Sequence, residues 1–141
     1  MTGYIVVAVT LVVGLLIGIG LRRRSGVLAT GGGGAVTGED LGVELGERAT
    51  LVQFSTAFCA PCRATRRVLS EVAAMVPGVR HVEIDAESRL DLVRRFDIMR
   101  TPTVLVLDTA GRIIKRAAGA PRRVDVIAAL GLAVDDSSGQ Q

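Results

Sequence analysis

The chain has 141 residues, room for one domain of ordinary size and an appendage. It carries 17 Lys plus Arg against 14 Asp plus Glu, but three of the basic residues are the run Arg22–Arg24, and the rest of the chain is balanced. That balance argues against a nucleic-acid partner, which needs a basic face, and the clusters Arg63, Arg66, Arg67 and Arg122, Arg123 read as solvated helix faces.

Residues 3–21, GYIVVAVTLVVGLLIGIGL, contain no charge. As a helix they span about 28 Å, close to the hydrocarbon thickness of a bilayer. A cleaved signal peptide places basic residues before a shorter apolar core, whereas here they follow a long one. Residues 1–24 therefore read as a transmembrane anchor with a basic flank. Arginines are retained on the cytoplasmic side, so the flank predicts a single-pass protein with its N-terminus outside and the following domain in the cytoplasm. The alternative is an extracytoplasmic domain. Gly14 and Gly18 form a GxxxG pair, which can bring two membrane helices together, although glycine is common in such helices in any case.

Residues 25–36, SGVLATGGGGAV, read as a Gly-rich flexible linker with a root-mean-square span of about 20 Å. Residues 37–132 read as the folded domain, of which 37–48 form a short helix or an edge strand. Ala49 to Thr56 is rich in β-favouring residues and predicts a strand. From about Cys59 to Val76, the positions Cys62, Thr65, Leu69, Val72, Ala73 and Val76 recur at helical spacing, and Pro77-Gly78 stops the helix. Val79 to Asp85 alternates like a second strand. Ser88 to Phe96 predicts a short helix with Ser88 as its N-cap. Thr103 to Asp108 is a continuous apolar run, as in a strand covered on both faces. Thr109 to Gly111 is a tight turn from which Arg112 to Ala117 pairs back as a hairpin. Pro121 suits the first turn of a last helix running to about Leu130. Residues 133–141 read as a disordered polar tail. The order predicts an α/β fold, a mixed sheet flanked by helices, with one transmembrane helix before it.

The chemistry is concentrated in FCAPCR, Phe58 to Arg63, which holds both cysteines. A structural zinc site needs four ligands, and the chain offers two Cys and the single His81. Copper needs only two thiolates, but the order of elements differs from that of small copper carriers. Two inert thiols remain a third reading, disfavoured by so particular a position. The pair falls where a strand ends and a helix begins. Free N–H groups and the helix dipole there stabilise a thiolate and so lower the thiol pKa. In this geometry Cys59 is the exposed attacker, and Cys62, one turn in, is shielded and near enough to attack the mixed disulfide. Pro61 stiffens the turn between them. A dithiol at such a junction reads as an exchanger of disulfides.

These residues resemble the thioredoxin family. FCAPCR is similar to the family's Trp-Cys-Gly-Pro-Cys-Lys, and RTPT, Arg100 to Thr103, follows at the right distance. Glu83 to Asp85 and Gly119 also fall where the family has equivalents. The match covers about Leu51 to Leu130, and the family's opening strand and helix have no full counterpart. The resemblance implies a thioredoxin-like fold, with Pro102 as a cis-proline facing the dithiol and the Thr101 backbone pairing with an extended substrate. It implies catalysis by a redox-active Cys59–Cys62 disulfide without cofactor or metal. The implied partners are disulfide-containing protein substrates and an electron-donating reductase.

Two departures stand out. Six residues before its first cysteine the family usually has a buried Asp, implied to take and give the resolving thiol's proton; here that position is Gln53, and an amide cannot act as a general base. Where the family has a Lys near that Asp, this chain has His81, which could replace the proton carrier, through a water if needed, or be an ordinary strand histidine. Ser55 and Phe58 stand where tryptophans are frequent, and the chain has no Trp. Ala60-Pro61 is close to the family's Gly-Pro and implies a reducing poise, nearer about −270 mV than about −120 mV. The leading expectation is a membrane-anchored reductase of protein disulfides. An extracytoplasmic exchanger, and a non-catalytic binding module on the same fold, are the alternatives.

Overall fold

The computed structural model describes residues 1–24, 28–30 and 34–139. Helix α1, Thr2–Arg24, is apolar from Thr2 to Leu21, and its Val, Leu and Ile side chains are all exposed. None of its residues belongs to the two cores described below, and it is long and apolar enough to cross a membrane.

The domain is built on a five-stranded sheet. Its strands are β1 (Ala29–Thr30), β2 (Ala49–Ser55), β3 (Val79–Asp85), β4 (Thr103–Leu107) and β5 (Ile113–Ala118), in the order β1-β5-β4-β2-β3. β2 and β3 are parallel, joined by the crossover helix α3 (Ala60–Met75); the other pairings are antiparallel. β2 and β4 are buried along their whole lengths. The alternation of their side chains makes two cores. On one face Val52, Phe54, Leu105 and Leu107 pack with Leu92 of α4 (Leu90–Arg95) and Leu41 of α2 (Gly38–Leu41). On the other, Leu51, Val104 and Val106 pack with Leu69 and Val72 of α3 and with Val126 and Leu130 of α5 (Arg123–Ser138).

Segment 37–48, open between helix and strand in the sequence, opens with a helix. Thr37 caps it through a reciprocal pair: its hydroxyl accepts from the Asp40 amide, and the Asp40 carboxylate accepts from the Thr37 amide at 2.8 Å.

Four expectations are corrected. Residues 25–36 are not all linker: Ala29–Thr30 pairs with β5, and Val36, 1% exposed, lies in the core. The Val36 amide donates to the Gly111 carbonyl at 2.8 Å, and a side chain at Gly111 would collide with the Val36 carbonyl oxygen, so only glycine permits this stitch. The rest of the linker, 25–27 and 31–33, lies outside the described residues, as do Gln140 and Gln141 of the expected tail. Second, the remainder of that tail is helical: α5 runs to Ser138, Ala133 is buried, and Asp136 pairs with Arg112 at 2.7 Å. Third, Ser88 does not cap α4; Arg89 stands at the N-cap without a side-chain capping bond, and the Ser88 hydroxyl donates to the Asp85 carbonyl. Fourth, Pro121 precedes the last helix, whose N-cap is Arg122.

The burial of Val36 gives a direct test. Val36→Ala removes two buried methyl groups and is expected to lower the unfolding free energy by about 2 kcal/mol. Val43→Ala, at an exposed site, is expected to change it by less than about 0.5 kcal/mol. Urea unfolding of the detergent-solubilised chain measures both.

Candidate active site

The edge of the site is set by where β2 stops. After Ser55 the chain leaves the sheet, and Cys59 becomes the N-cap of α3, with Pro61 in the first turn. An N-cap residue offers its side chain to the free amides of that turn. Here the acceptor is sulfur: the Cys62 amide points at Cys59 Sγ, 3.2 Å away. Cys59 and Cys62 are joined as a disulfide, their Cα atoms 5.2 Å apart. Cys59 is half-buried and Cys62 is 1% exposed, so the two sulfurs differ in access.

The loop before β4 closes over this corner. Its Thr101–Pro102 peptide bond is cis. The Thr101 hydroxyl lies 3.3 Å from that of Thr56, on the stretch leading to Cys59. Behind it, the Gly119 amide donates to the Pro102 carbonyl at 2.7 Å. Phe58 and Met99, 98% and 83% exposed, stand beside the dithiol and beside Arg100 to Pro102.

Gln53 lies beneath α3, fully buried, and every polar atom of its side chain is engaged. Its Nε2 donates to the Cys62 carbonyl at 2.8 Å and to the Ser55 hydroxyl at 2.9 Å, and its Oε1 is 3.2 Å from Nε2 of His81. A carbonyl cannot donate, so the bond to Cys62 settles the amide's orientation. Oε1 is then an acceptor, and Nε2 of His81 carries hydrogen. The other ring nitrogen, Nδ1, lies 3.1 Å from the Ser70 hydroxyl. Strand β3 and helix α3 thus hold the histidine between them, and it bonds Gln53 directly. Burial pushes the His81 pKa below its usual value; the Glu83 carboxylate opposes the shift and Arg66 adds to it.

On the β3 side, a cleft of about 370 Å³ is lined by both cysteines together with Ser55, Arg66, Glu83 and Asp85. Arg66 forms two bonds to the Glu83 carboxylate across the cleft. The sequence pattern brought out Cys59, Pro61, Cys62, Gln53, His81, Thr101 and Pro102, and the structure gathers all seven around one corner. Ser70, the bond of Ser55 to Gln53 and the pairing of Arg66 with Glu83 are not visible in the sequence pattern. Arg66 lies in a cluster whose pattern is that of a solvated helix face, and its contact with Glu83 spans 17 positions in sequence.

The model of the family described as Thioredoxin matches residues 37–131. The chain belongs to the thioredoxin family. Among its relatives, a thioredoxin of Alicyclobacillus acidocaldarius subsp. acidocaldarius is 35% identical over 75 residues, covering 52% of this chain and 70% of that protein. Thioredoxin H5 of Oryza sativa subsp. japonica is 26% identical over 72 residues, covering 51% of this chain and 53% of that protein. The chain spans about half the length of several curated relatives it matches. The solved structure of thioredoxin NaTrxh from Nicotiana alata superposes with a TM-score of 0.56 at 24% identity, over 62% of this chain and 75% of that one. The mixed sheet with helices on both faces is therefore the thioredoxin fold, and it carries a Cys-x-x-Cys pair, Cys59 and Cys62.

The His81 shift sets a sign for pH. Because the folded state disfavours the charged ring, the unfolded chain takes up a proton near pH 6.5 that the fold does not. Stability tied to the neutral ring is fully present above that value and falls as pH drops through the window below it. The stability difference between the chain and its His81→Gln variant is expected to shrink between pH 7.5 and 5.5, by thermal or urea unfolding. A constant difference would contradict the shift.

Proposed function

We propose that the chain is a membrane-anchored thiol–disulfide oxidoreductase that reduces protein disulfides, with its domain in the cytoplasm. The observation that carries this reading is the pairing of a half-exposed with a buried cysteine at the N-terminus of α3, beneath the Thr101–Pro102 loop.

In the reduced form, the helix N-terminus favours the Cys59 thiolate. Cys59 attacks one sulfur of the substrate disulfide and expels the other as a thiolate, forming a mixed disulfide. Cys62 then gives up its proton and attacks Cys59 Sγ, releasing the second substrate thiolate and closing the Cys59–Cys62 bond. Two electrons pass to the substrate, and a reductase returns them to the disulfide. The Thr101 backbone pairs with the extended substrate segment and Pro102 shapes the surface it lies on, while Phe58 and Met99 offer apolar contact. No metal or cofactor takes part.

Gln53 cannot accept the Cys62 proton, so its role is to hold the first turn of α3 through the Cys62 carbonyl. His81 donates to Gln53 through Nε2, so it takes up a proton only at Nδ1, beside Ser70; it makes the support under Cys62 sensitive to pH and does not receive the Cys62 proton through Gln53. The apolar length of α1 and the arginines that end it support the anchor and its orientation.

Turnover in an insulin-reduction assay is expected to be lost on Cys59→Ser, and Cys62→Ser is expected to trap the mixed disulfide. Turnover unchanged by Cys59→Ser would favour a binding module instead. His81→Gln is expected to change the pH profile of exchange; an unchanged profile would contradict this sensitivity. A reporter fused after Gln141 reads the orientation, and activity of a periplasm-only reporter would place the domain outside.

A further inference from the structure

The direction in which the chain enters the domain bears on what the dithiol can reach. β1 is antiparallel to β5, with Ala29 opposite Arg116 and Thr30 opposite Lys115. Going backwards from Ala29 therefore leads toward the C-terminal end of β5, where Ala118 lies opposite Thr103 and Gly119 bonds to Pro102. This is the end of the sheet at which β2 runs out toward Cys59, since Phe54 lies opposite Thr103. Leu28, just before β1, packs against the core under α5 and lines a cleft with Ala128 and Leu132 of that helix. The chain is thus fastened to the domain at Leu28, at the dithiol end.

Only residues 25–27 separate Leu28 from Arg24, where α1 ends. The four peptide steps between them reach at most about 14 Å in any arrangement. From Leu28 to Pro102 the sheet spacing gives about 12 Å, two strands across and two residues along. Pro102 therefore stays within about 25 Å of Arg24 in every pose the tether permits. A β1 running parallel to β5 would have entered at the far end and added about 20 Å, the length of the strand.

We propose that this short attachment at the dithiol end restricts the enzyme to disulfides lying close to the membrane surface, such as those in juxtamembrane segments of other membrane proteins. The inference rests on α1 being a membrane anchor. The partner is reduced by the two electrons of the Cys59–Cys62 dithiol through the mixed disulfide already described, with no further reductant in the step. A freely diffusing protein presents its disulfide at this height only by chance, whereas a membrane protein with a juxtamembrane disulfide presents it constantly.

The test uses the full chain, pre-reduced, in proteoliposomes with single-span peptides. Each peptide carries one disulfide on a Glu-Ala-Ala-Ala-Lys helical spacer, about 10 Å or about 60 Å above the bilayer. In a single turnover, the near disulfide is expected to be reduced at least tenfold faster than the far one. Inserting a 30-residue Gly-Ser segment between Gly26 and Val27 adds a span of about 30 Å and is expected to bring the two rates within about threefold. Equal rates with the native tether, while alkaline carbonate leaves the chain in the vesicles, would overturn the proposal and leave the anchor standing. Release by carbonate would overturn the anchor itself, and the proposal with it.

Discussion

β2 is buried along its entire length between parallel β3 and antiparallel β4, and the site takes its position from where that strand stops. Because the strand cannot slide without moving its apolar side chains to the wrong face, the start of α3 is fixed relative to β4. That places Cys59 at an N-cap and Pro102 across from it. The buried Gln53 ties α3 to β3 from below, bonding the Cys62 carbonyl on one side and His81 on the other.

The same register makes Gln53 unusual. Its position on β2 faces α3, among Leu51, Leu69 and Val104, where an unpaired polar atom is costly. Its amide and carbonyl are both satisfied by hydrogen bonds, so the residue is accommodated without a charge. A carboxylate here would need a proton or a cation; a glutamine needs neither. The consequence is that the titratable side chain bonded to this residue is a histidine on the neighbouring strand, itself biased toward its neutral form by burial.

Much of this was legible in the chain. The apolar stretch, the helical spacing after Cys59, the unbroken apolar run of β4 and the Pro77-Gly78 stop are local patterns, and the elements appear within a residue or two of where those patterns put them. The Ser88 cap failed because α4 begins at Leu90, which puts Arg89 at the N-cap and leaves the Ser88 hydroxyl to donate back to the Asp85 carbonyl. The tail reading failed because polar residues at 135–138 suggest a loop, whereas Ala133 beneath them is held by the core and Asp136 by Arg112. Glycine-rich sequence similarly suggested a linker, although Val36 fills a core position whose other walls come from Phe96, Leu107 and Ile113.

The sequence by itself determined the chemistry and the local frame: two cysteines at a strand-to-helix junction, a Thr-Pro before the next apolar strand, and an apolar helix long enough to cross a bilayer. These depend on neighbours within a turn or two, where propensity and spacing act directly. Only the tertiary structure decided that His81 meets Gln53, that Arg66 spans the cleft to Glu83, and that the chain joins the sheet at its dithiol end. Each of those rests on pairing between segments far apart in sequence, whose partner is chosen by the packing of the whole sheet and not by any local pattern.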